Sequence, residues 1–194
     1  MKDYWSNFLN SKGESDAFAY IYNYYVNDLL SYGVSLGFDE ETCRDGVHDV
    51  FYKLYVERDK LTHVKNPTAY LLKSFRNRLF NIYNRKSKTA PIEDVEIPFA
   101  ADITILDTII DKEEEEKLKK IVSDLLNELT PRQREAIYLR YMQEMDYEDI
   151  ADLMKMDNNS ARQLVHRGIK ALREKGIDSK YPLFILYLFL FLKT

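Results

Sequence analysis

The feature that most constrains the fold is a series of helix-start signals within residues 128–175. Thr130 is a good N-cap residue, Pro131 suits the first helical position, and Gln133 completes a capping box. Asp146 can cap a second helix, which we expect to end near residue 154. The segment is therefore predicted to form short helices that follow one another closely.

A third helix is predicted to start after Asp157, and its faces differ in character. Apolar and small residues share one face at three- and four-residue spacing; they are Ala161, Leu164, Val165, Gly168 and Leu172. Polar and basic residues occupy the other faces, namely Ser160, Arg162, Gln163, His166, Arg167, Lys170 and Arg173. Two helices joined by a tight turn, the second of them basic, form the arrangement that inserts a helix into the major groove of DNA.

Charge alone does not establish DNA binding, because a basic helix is often only a solvated surface. The types of side chain add to the argument. Ser160, Gln163 and His166 are short or planar hydrogen-bonding groups set among cations, which suits mixed contacts with base edges and phosphates.

The rest of the chain is also predicted to be helical, which makes the fold all-α with two small helical domains. Glycine is rare in the 194 residues, and alternating runs of Val, Ile and Thr are few. Amphipathic patterns predict helices over 16–35, 40–58 and 66–86, and three helices with short connections form a bundle. In the second of these helices, the residues expected to be buried together are Val47, Val50, Phe51, Leu54 and Tyr55.

Charge is segregated along the chain, although the net charge is only −4. The charged side chains of residues 73–88 are all basic, whereas those of residues 93–116 are all acidic except Lys112. The proline-containing stretch 90–112 is therefore predicted to be a flexible acidic linker. Such a linker is at least a solubilising tether, and it could also follow a positively charged channel in a partner. The predicted organisation is a helical bundle over 1–89, the linker over 90–112, a helix-turn-helix domain over 113–176 and a hydrophobic tail over 177–194.

The tail contains an apolar run, 183–192, which is about half the length needed to cross a bilayer. We therefore expect a chain that does not span the membrane. The run is interpreted as a buried helix packed on one of the domains, or alternatively as a docking segment for a regulatory partner.

Sequence signals for catalysis are lacking, so the chain is predicted not to be an enzyme. His48, His63 and His166 are far apart and have no neighbouring ligand-spaced Cys or His, and no phosphate-binding loop or hydrolase motif occurs. We expect no cofactor, no metal and no small-molecule substrate. The single cysteine, Cys43, excludes an internal disulfide, and residues 1–9 lack a signal-peptide pattern, so a cytoplasmic location is predicted.

The 128–175 segment resembles the C-terminal promoter-reading domain of bacterial sigma factors of the sigma-70 family, in particular the extracytoplasmic-function (ECF) branch. The residues that carry the resemblance are Leu129, Thr130, Pro131, Glu135, Tyr138, Leu139, Arg140, Tyr147, Glu148, Asp149, Ile150, Ala151, Ser160, Ala161, Arg162, His166, Arg167, Ala171 and Leu172. It implies that the promoter −35 element is contacted by Ser160, Arg162, Gln163, His166, Arg167 and Lys170. Three positions depart from the pattern. Lys155 replaces the usual turn glycine, so the turn must use another left-handed residue or strain a non-glycine; Leu164 replaces a frequent arginine; and Gly168 replaces the usual alanine, which weakens the helix by roughly 1 kcal/mol.

Residues 45–51 resemble the sigma-factor segment that grips the largest subunit of RNA polymerase. The resemblance implies that core polymerase is bound by Asp45, His48, Asp49, Tyr52 and Lys53. His48 stands where glutamine is common, and Gly46 replaces a usual hydrophobic residue.

Residues 69–72 and 76–77 resemble the segment that melts and reads the −10 element. The residues implied to face DNA there are His63, Asn66, Lys73, Arg76, Asn77, Arg78, Asn81, Tyr83, Arg85 and Lys86. The loop 59–66 would receive a flipped base, for which His63 and Asn66 offer hydrogen bonds. Phe75 is larger than the small residue that is common at its position, and Asn81 replaces a frequent aspartate.

The resemblance therefore implies an ECF-type sigma factor that binds core RNA polymerase and promoter DNA and is controlled by an anti-sigma factor. Two other functions stay open. One is a helix-turn-helix regulator whose N-terminal bundle dimerises or senses a signal without engaging polymerase. The other is a helical adaptor whose basic helices bind acidic protein partners.

Overall fold

Every regular element that the structure describes is a helix, as the sequence predicted. The structure is a computed structural model that describes residues 2–10, 15–86, 99 and 124–177. The chain divides into two units, Met1–Glu96 and Ile97–Thr194, each with its own core. Apart from Phe99, the predicted linker 90–112 lies outside the described residues, and so does the apolar run 183–192.

Unit 1 contains four α-helices in its described part. They are α1 (Lys2–Asn10), α2 (Ser15–Ser35), α3 (Glu40–Val56) and α4 (Pro67–Lys86), with a 3-10 turn at Arg58–Lys60 after α3. The last three α-helices lie close to the predicted bounds and pack on one another. Helix α1 was not predicted; it packs on α2 and buries Trp5 and Phe8.

The second predicted helix buries most of the side chains expected, but not Tyr55. Val47, Val50, Phe51 and Leu54 are buried, whereas Tyr55 is 47% exposed. The Tyr55 ring lies at the rim of the bundle, with its centroid 5.5 Å from that of Phe18 and 5.7 Å from the Arg58 guanidinium carbon. The prediction for Tyr55 was wrong because the buried face of α3 ends at this rim, where other side chains cover only part of the ring.

Phe75 of α4 is fully buried, and two glycines make room for its ring. A Cβ atom added to Gly46 of α3 would lie 3.0 Å from Phe75 Cε2, and one added to Gly33 of α2 would lie 3.0 Å from Phe75 Cζ and 2.6 Å from Cys43 Sγ. Both departures from the family pattern are therefore explained by packing, because the large Phe75 ring occupies the space that a side chain at position 46 would need. Cys43 belongs to the same core, and burial raises the pKa of its thiol to about 11.

In its described part, unit 2 contains two short α-helices and a π-helical turn that precede one long helix. Helix α5 (Pro131–Ile137) continues into a π-helical turn (Tyr138–Met142) and is followed by α6 (Tyr147–Leu153) and α7 (Asn158–Ile177). Both α5 and α6 pack on α7. The predicted apolar face of α7 is buried at Ala161, Val165, Gly168 and Leu172 and half-buried at Leu164.

Gly168 lies where α5 approaches α7. A Cβ atom at this position would lie 2.7 Å from Ile137 Cδ1. The glycine therefore allows Ile137 to be buried against the helix backbone, and this close approach offsets the propensity cost that the sequence suggested.

Phe99 is part of unit 2, although the sequence placed it in the linker. Its side chain is only 1% exposed, and its ring centroid lies 5.6 Å from that of Tyr138. The hydroxyl of Tyr138 accepts a hydrogen bond from Gln143 Nε2 at 3.0 Å. An aromatic anchor therefore attaches residue 99 to the start of the π-helical turn.

Candidate nucleic-acid interface

The helix-turn-helix of unit 2 begins each helix with a side-chain cap. Thr130 and Gln133 form a complete capping box at α5, and Asp146 accepts a hydrogen bond from the Asp149 backbone N–H at 2.8 Å. Asp157 Oδ1 accepts from the Ser160 backbone N–H at 2.9 Å, and Ser160 Oγ donates to Asp157 Oδ2 at 2.5 Å. These two hydrogen bonds from Ser160 lower the pKa of Asp157. All three caps predicted from the sequence are present.

The turn between α6 and α7 places Lys155 in the left-handed region, with φ of 53°. The Met156 N–H donates to Ala151 O at 2.9 Å and the Lys155 N–H donates to Asp152 O at 3.4 Å, which is the hydrogen-bond pattern of a Schellman turn. Of the two alternatives raised by the missing glycine, the structure shows the strained non-glycine. The cost is of order 1 kcal/mol.

The outer face of α7 presents the polar and basic residues that the sequence singled out. Each of them is exposed: Ser160, Arg162, Gln163, His166, Arg167 and Lys170. Arg167 Nη2 donates to Gln163 Oε1 at 3.3 Å, and Lys170 Nζ lies 3.7 Å from Glu174 Oε1. Exposed contacts of this kind one turn apart are weak, so they leave these groups available to a polyanion.

The Arg162 guanidinium lies over the ring of Tyr147, the first residue of α6. Its Cζ atom is 4.8 Å from the ring centroid, and Arg140 Cζ is 4.9 Å from the same centroid. Arg140 and Tyr147 are among the residues that carry the family resemblance, but the local pattern does not predict that they contact Arg162.

The predicted DNA-facing residues of α4 differ in their exposure and in their contacts. Asn77, Asn81 and Arg85 are exposed and follow one another at four-residue spacing, so they share one helix face. Arg76 lies over Phe80, with 4.8 Å between Cζ and the ring centroid. Tyr83 is partly exposed, and its ring meets that of Phe38 edge-on.

The other residues assigned to the −10 element have less open positions or lie off the helix. Arg78 donates from Nε to Asp49 Oδ2 at 2.6 Å, so it is directed towards α3. Asn66 Oδ1 accepts from the Ala69 backbone N–H at 3.3 Å and so caps α4. Lys73 is half-buried, and His63 is exposed in the loop before α4. The side chain of Lys86 lies outside the described residues.

The predicted polymerase-binding face of α3 is acidic and partly apolar. Asp45, His48 and Lys53 are exposed, Tyr52 is 72% exposed, and Asp49 is half-exposed beside Arg78. Lys53 Nζ lies 3.7 Å from Glu57 Oε2. One turn beyond Tyr52 the face continues with Val56, which is 59% exposed and is not among the residues predicted for this face. Exposed apolar side chains among charges are typical of a protein-binding surface.

In the part of the chain that the structure describes, no three metal-binding side chains come together. No described helix is both long enough and apolar enough to cross a bilayer.

Comparisons with family models and with individual proteins point to the same family. The family model "Sigma-70, region 4" matches residues 119–172, which include α5, α6 and most of α7. The ECF RNA polymerase sigma factor SigM of Bacillus subtilis is 22% identical over 163 residues, covering 82% of this chain and 97% of that protein. SigW of the same organism is 22% identical over 174 residues, covering 86% and 92%.

A solved structure shares the fold over nearly the whole chain. It is CnrH in complex with the cytosolic domain of CnrY, with a TM-score of 0.55 and 16% identity over 92% of this chain and 97% of that one. The matched sigma-70 region, the relatives covered over most of their length and the helical two-unit fold agree with one another, and together they support an ECF sigma factor of the sigma-70 family.

Proposed function

We propose that the chain is a dissociable transcription-initiation subunit that binds core RNA polymerase and directs it to promoters. The observation that carries the proposal is the exposed polar and basic face of α7, presented by a capped helix-turn-helix that matches sigma-70 region 4. In this role the chain binds and positions DNA, and RNA synthesis stays with the polymerase. The chain would act where polymerase and genome are, in the cytoplasm.

The upstream −35 element is assigned to α7. Its exposed residues from Ser160 to Lys170 combine cations, which bind phosphates, with planar and hydroxyl groups, which can reach base edges. Ser160 already donates its hydroxyl hydrogen to Asp157. It would therefore either accept a hydrogen bond from DNA or contribute only by stabilising the start of α7.

The −10 element is assigned to the exposed face of α4. Asn77, Asn81 and Arg85 offer amide and guanidinium groups along one line, and Tyr83 offers a partly exposed ring on which an unstacked base could lie. Arg78 would support this face indirectly, by holding α4 to α3 through Asp49.

Core polymerase is assigned to the face of α3 that contains Asp45, His48, Asp49, Tyr52 and Lys53. The carboxylates suit a basic partner surface, and the exposed ring of Tyr52 supplies apolar area at the centre of the face. Val56 extends the same stripe by one turn.

Reconstitution with purified core polymerase tests the proposal. Polymerase mixed with the chain should retain specific genomic fragments at moderate salt and start transcripts at fixed positions on them, whereas core polymerase alone should not. A regulator without polymerase binding would retain fragments when polymerase is left out. An adaptor would retain none, and either result would overturn the proposal.

Control by a protein inhibitor is also proposed. CnrH has been solved in complex with the cytosolic domain of CnrY, and the present chain shares the fold of CnrH. We extend the proposal to an anti-sigma partner that covers the DNA- or polymerase-binding surfaces. Addition of such a partner should prevent co-migration of the chain with core polymerase in gel filtration.

A further inference from the structure

Tyr147 forms a shared aromatic platform for two arginines from different elements. The guanidinium carbons of Arg140, from the π-helical turn, and Arg162, from α7, lie 4.9 Å and 4.8 Å from its ring centroid. Tyr147 is itself the first residue of α6, and Asp146 caps that helix. Three consecutive elements of the helix-turn-helix therefore meet at one ring.

The two arginines are held differently. Arg140 is half-buried, and its Nη1 donates to Met145 O at 2.7 Å, which fixes that guanidinium to the backbone before α6. Arg162 is exposed, and no described residue accepts a hydrogen bond from it. Its planar donor groups are therefore ordered by the ring and remain free to bind a ligand.

Stacking changes how readily Arg162 can bind. A free arginine side chain samples many rotamers, and ordering them opposes the formation of a directed hydrogen-bond pair. A guanidinium that already lies on a ring has lost part of this freedom before the ligand arrives. Arg140 adds a second positive charge beside the ring, and an acceptor at Arg162 relieves the repulsion between the two.

We propose that Tyr147 is a positioning residue that holds Arg162 for paired hydrogen bonds to a base edge in the major groove. The two acceptors O6 and N7 of guanine match the planar guanidinium best. The inference rests on the proposed promoter-reading function, and it names Tyr147 as a residue that determines specificity without itself touching the base.

The contact can be tested first without DNA. In the full-length chain, the side-chain protons of Arg162 should show upfield ring-current shifts in NMR spectra. Tyr147→Phe should keep these shifts because it keeps the ring, and Tyr147→Leu should abolish them. Shifts that are the same in Tyr147→Leu and in the unmodified chain would show that the ring does not hold Arg162.

The functional test uses a promoter fragment selected by the reconstituted polymerase complex. Arg162→Ala should weaken its binding about tenfold or more and relax the base preference at one position. Tyr147→Leu should relax the preference at the same position with a smaller loss, about two- to fivefold. Tyr147→Phe should restore near-normal binding.

A double-variant comparison separates positioning from a general structural effect. Tyr147→Leu should cost almost nothing further in the Arg162→Ala background, but should keep its full cost in the Arg167→Ala background. Equal costs in both backgrounds, or a loss spread evenly over all DNA sequences, would overturn the inference. If the unmodified chain selects no promoter fragment, the proposed function fails instead, and the NMR result still decides whether the contact exists.

Discussion

At the residue scale, several side chains assigned to binding also have structural roles. Asn66 caps α4, and Arg78 is paired with Asp49, a residue 29 positions earlier in the chain. The cap was accessible from the sequence, because Asn66 stands directly before Pro67 and this pair is typical of a helix start. The ion pair was not, since it depends on how α3 and α4 pack.

The Asp49–Arg78 pair complicates charge reversal at Asp49, and Asp45 allows a cleaner test. Asp45 is exposed one turn earlier on the same face. Asp45→Lys should lower the affinity for core polymerase by about 1 kcal/mol or more through like-charge repulsion. Gel filtration or a fluorescence titration with core polymerase measures this loss.

The matched control is Glu40→Lys, which places the same charge change on a different side of α3. It should leave polymerase affinity nearly unchanged. Equal losses in both variants would mean that net charge, rather than this face, determines binding.

At the scale of elements, the sequence predicted the helices well where caps and apolar spacing agreed. Thr130, Asp146 and Asp157 all cap helices as expected, and α2, α3 and α4 lie close to the predicted bounds. Helix α1 was missed because its two buried aromatics, Trp5 and Phe8, form too short a pattern to stand out. The π-helical turn and the platform at Tyr147 depend on tertiary contacts, which the local pattern does not contain.

Packing between helices explains substitutions that looked unfavourable in isolation. Gly168→Ala should raise helix propensity by about 1 kcal/mol, but its Cβ would meet Ile137 Cδ1 at 2.7 Å. We therefore expect a net loss of about 1–2 kcal/mol in the free energy of unfolding, since overpacking of this kind costs about 1–3 kcal/mol. Denaturant unfolding of the full chain, followed by helical circular dichroism, measures it.

Ile137→Val provides the matched control because it removes only the Cδ1 methyl. Alone it should cost about 0.5–1.5 kcal/mol. Combined with Gly168→Ala it should be more stable than the sum of the two single effects predicts, and strict additivity would contradict the contact.

At the scale of the whole molecule, the charge pattern matters more than the net charge. Basic residues lie in 73–88 and on α7, whereas the charged residues of 93–116 are acidic except Lys112. A segment whose charges all have the same sign interacts with a charged partner over about one Debye length, roughly 10 Å at 0.1 M salt. The sequence predicted this segregation directly, but assigned Phe99 to the linker because a single apolar residue carries no periodicity.

The acidic stretch of the linker 90–112 can be tested by neutralising its two glutamates, Glu93 and Glu96. Their replacement by glutamine should weaken binding to core polymerase and reduce its dependence on salt concentration, if the stretch follows a basic channel. Replacement by aspartate keeps the charge and should preserve both. If the glutamine variant binds as tightly and with the same salt dependence, the stretch is a tether only.

The thiol of Cys43 can serve as an intrinsic probe of local unfolding in unit 1. It is the only cysteine and is fully buried, and burial, followed by the charges of Asp39 and Glu40, raises its pKa to about 11. At pH 8 only about one folded molecule in a thousand would carry the thiolate, against about a quarter of unfolded chains. Alkylation by iodoacetamide at that pH should therefore report the rate at which unit 1 opens, and Gly33→Ala, which crowds the sulfur, should accelerate it.

The same thiol should make stability fall in alkaline solution. Because the pKa is higher in the folded state, the folded chain binds more protons between about pH 8.5 and 11, so the free energy of unfolding declines as pH rises through that window. Cys43→Ala should flatten this part of the profile in denaturant titrations. An unchanged profile, or labelling as fast in buffer as in urea, would show that the sulfur is open to solvent. Alkylation of a single thiol inside the helical bundle can thus measure how often unit 1 opens, without any added dye.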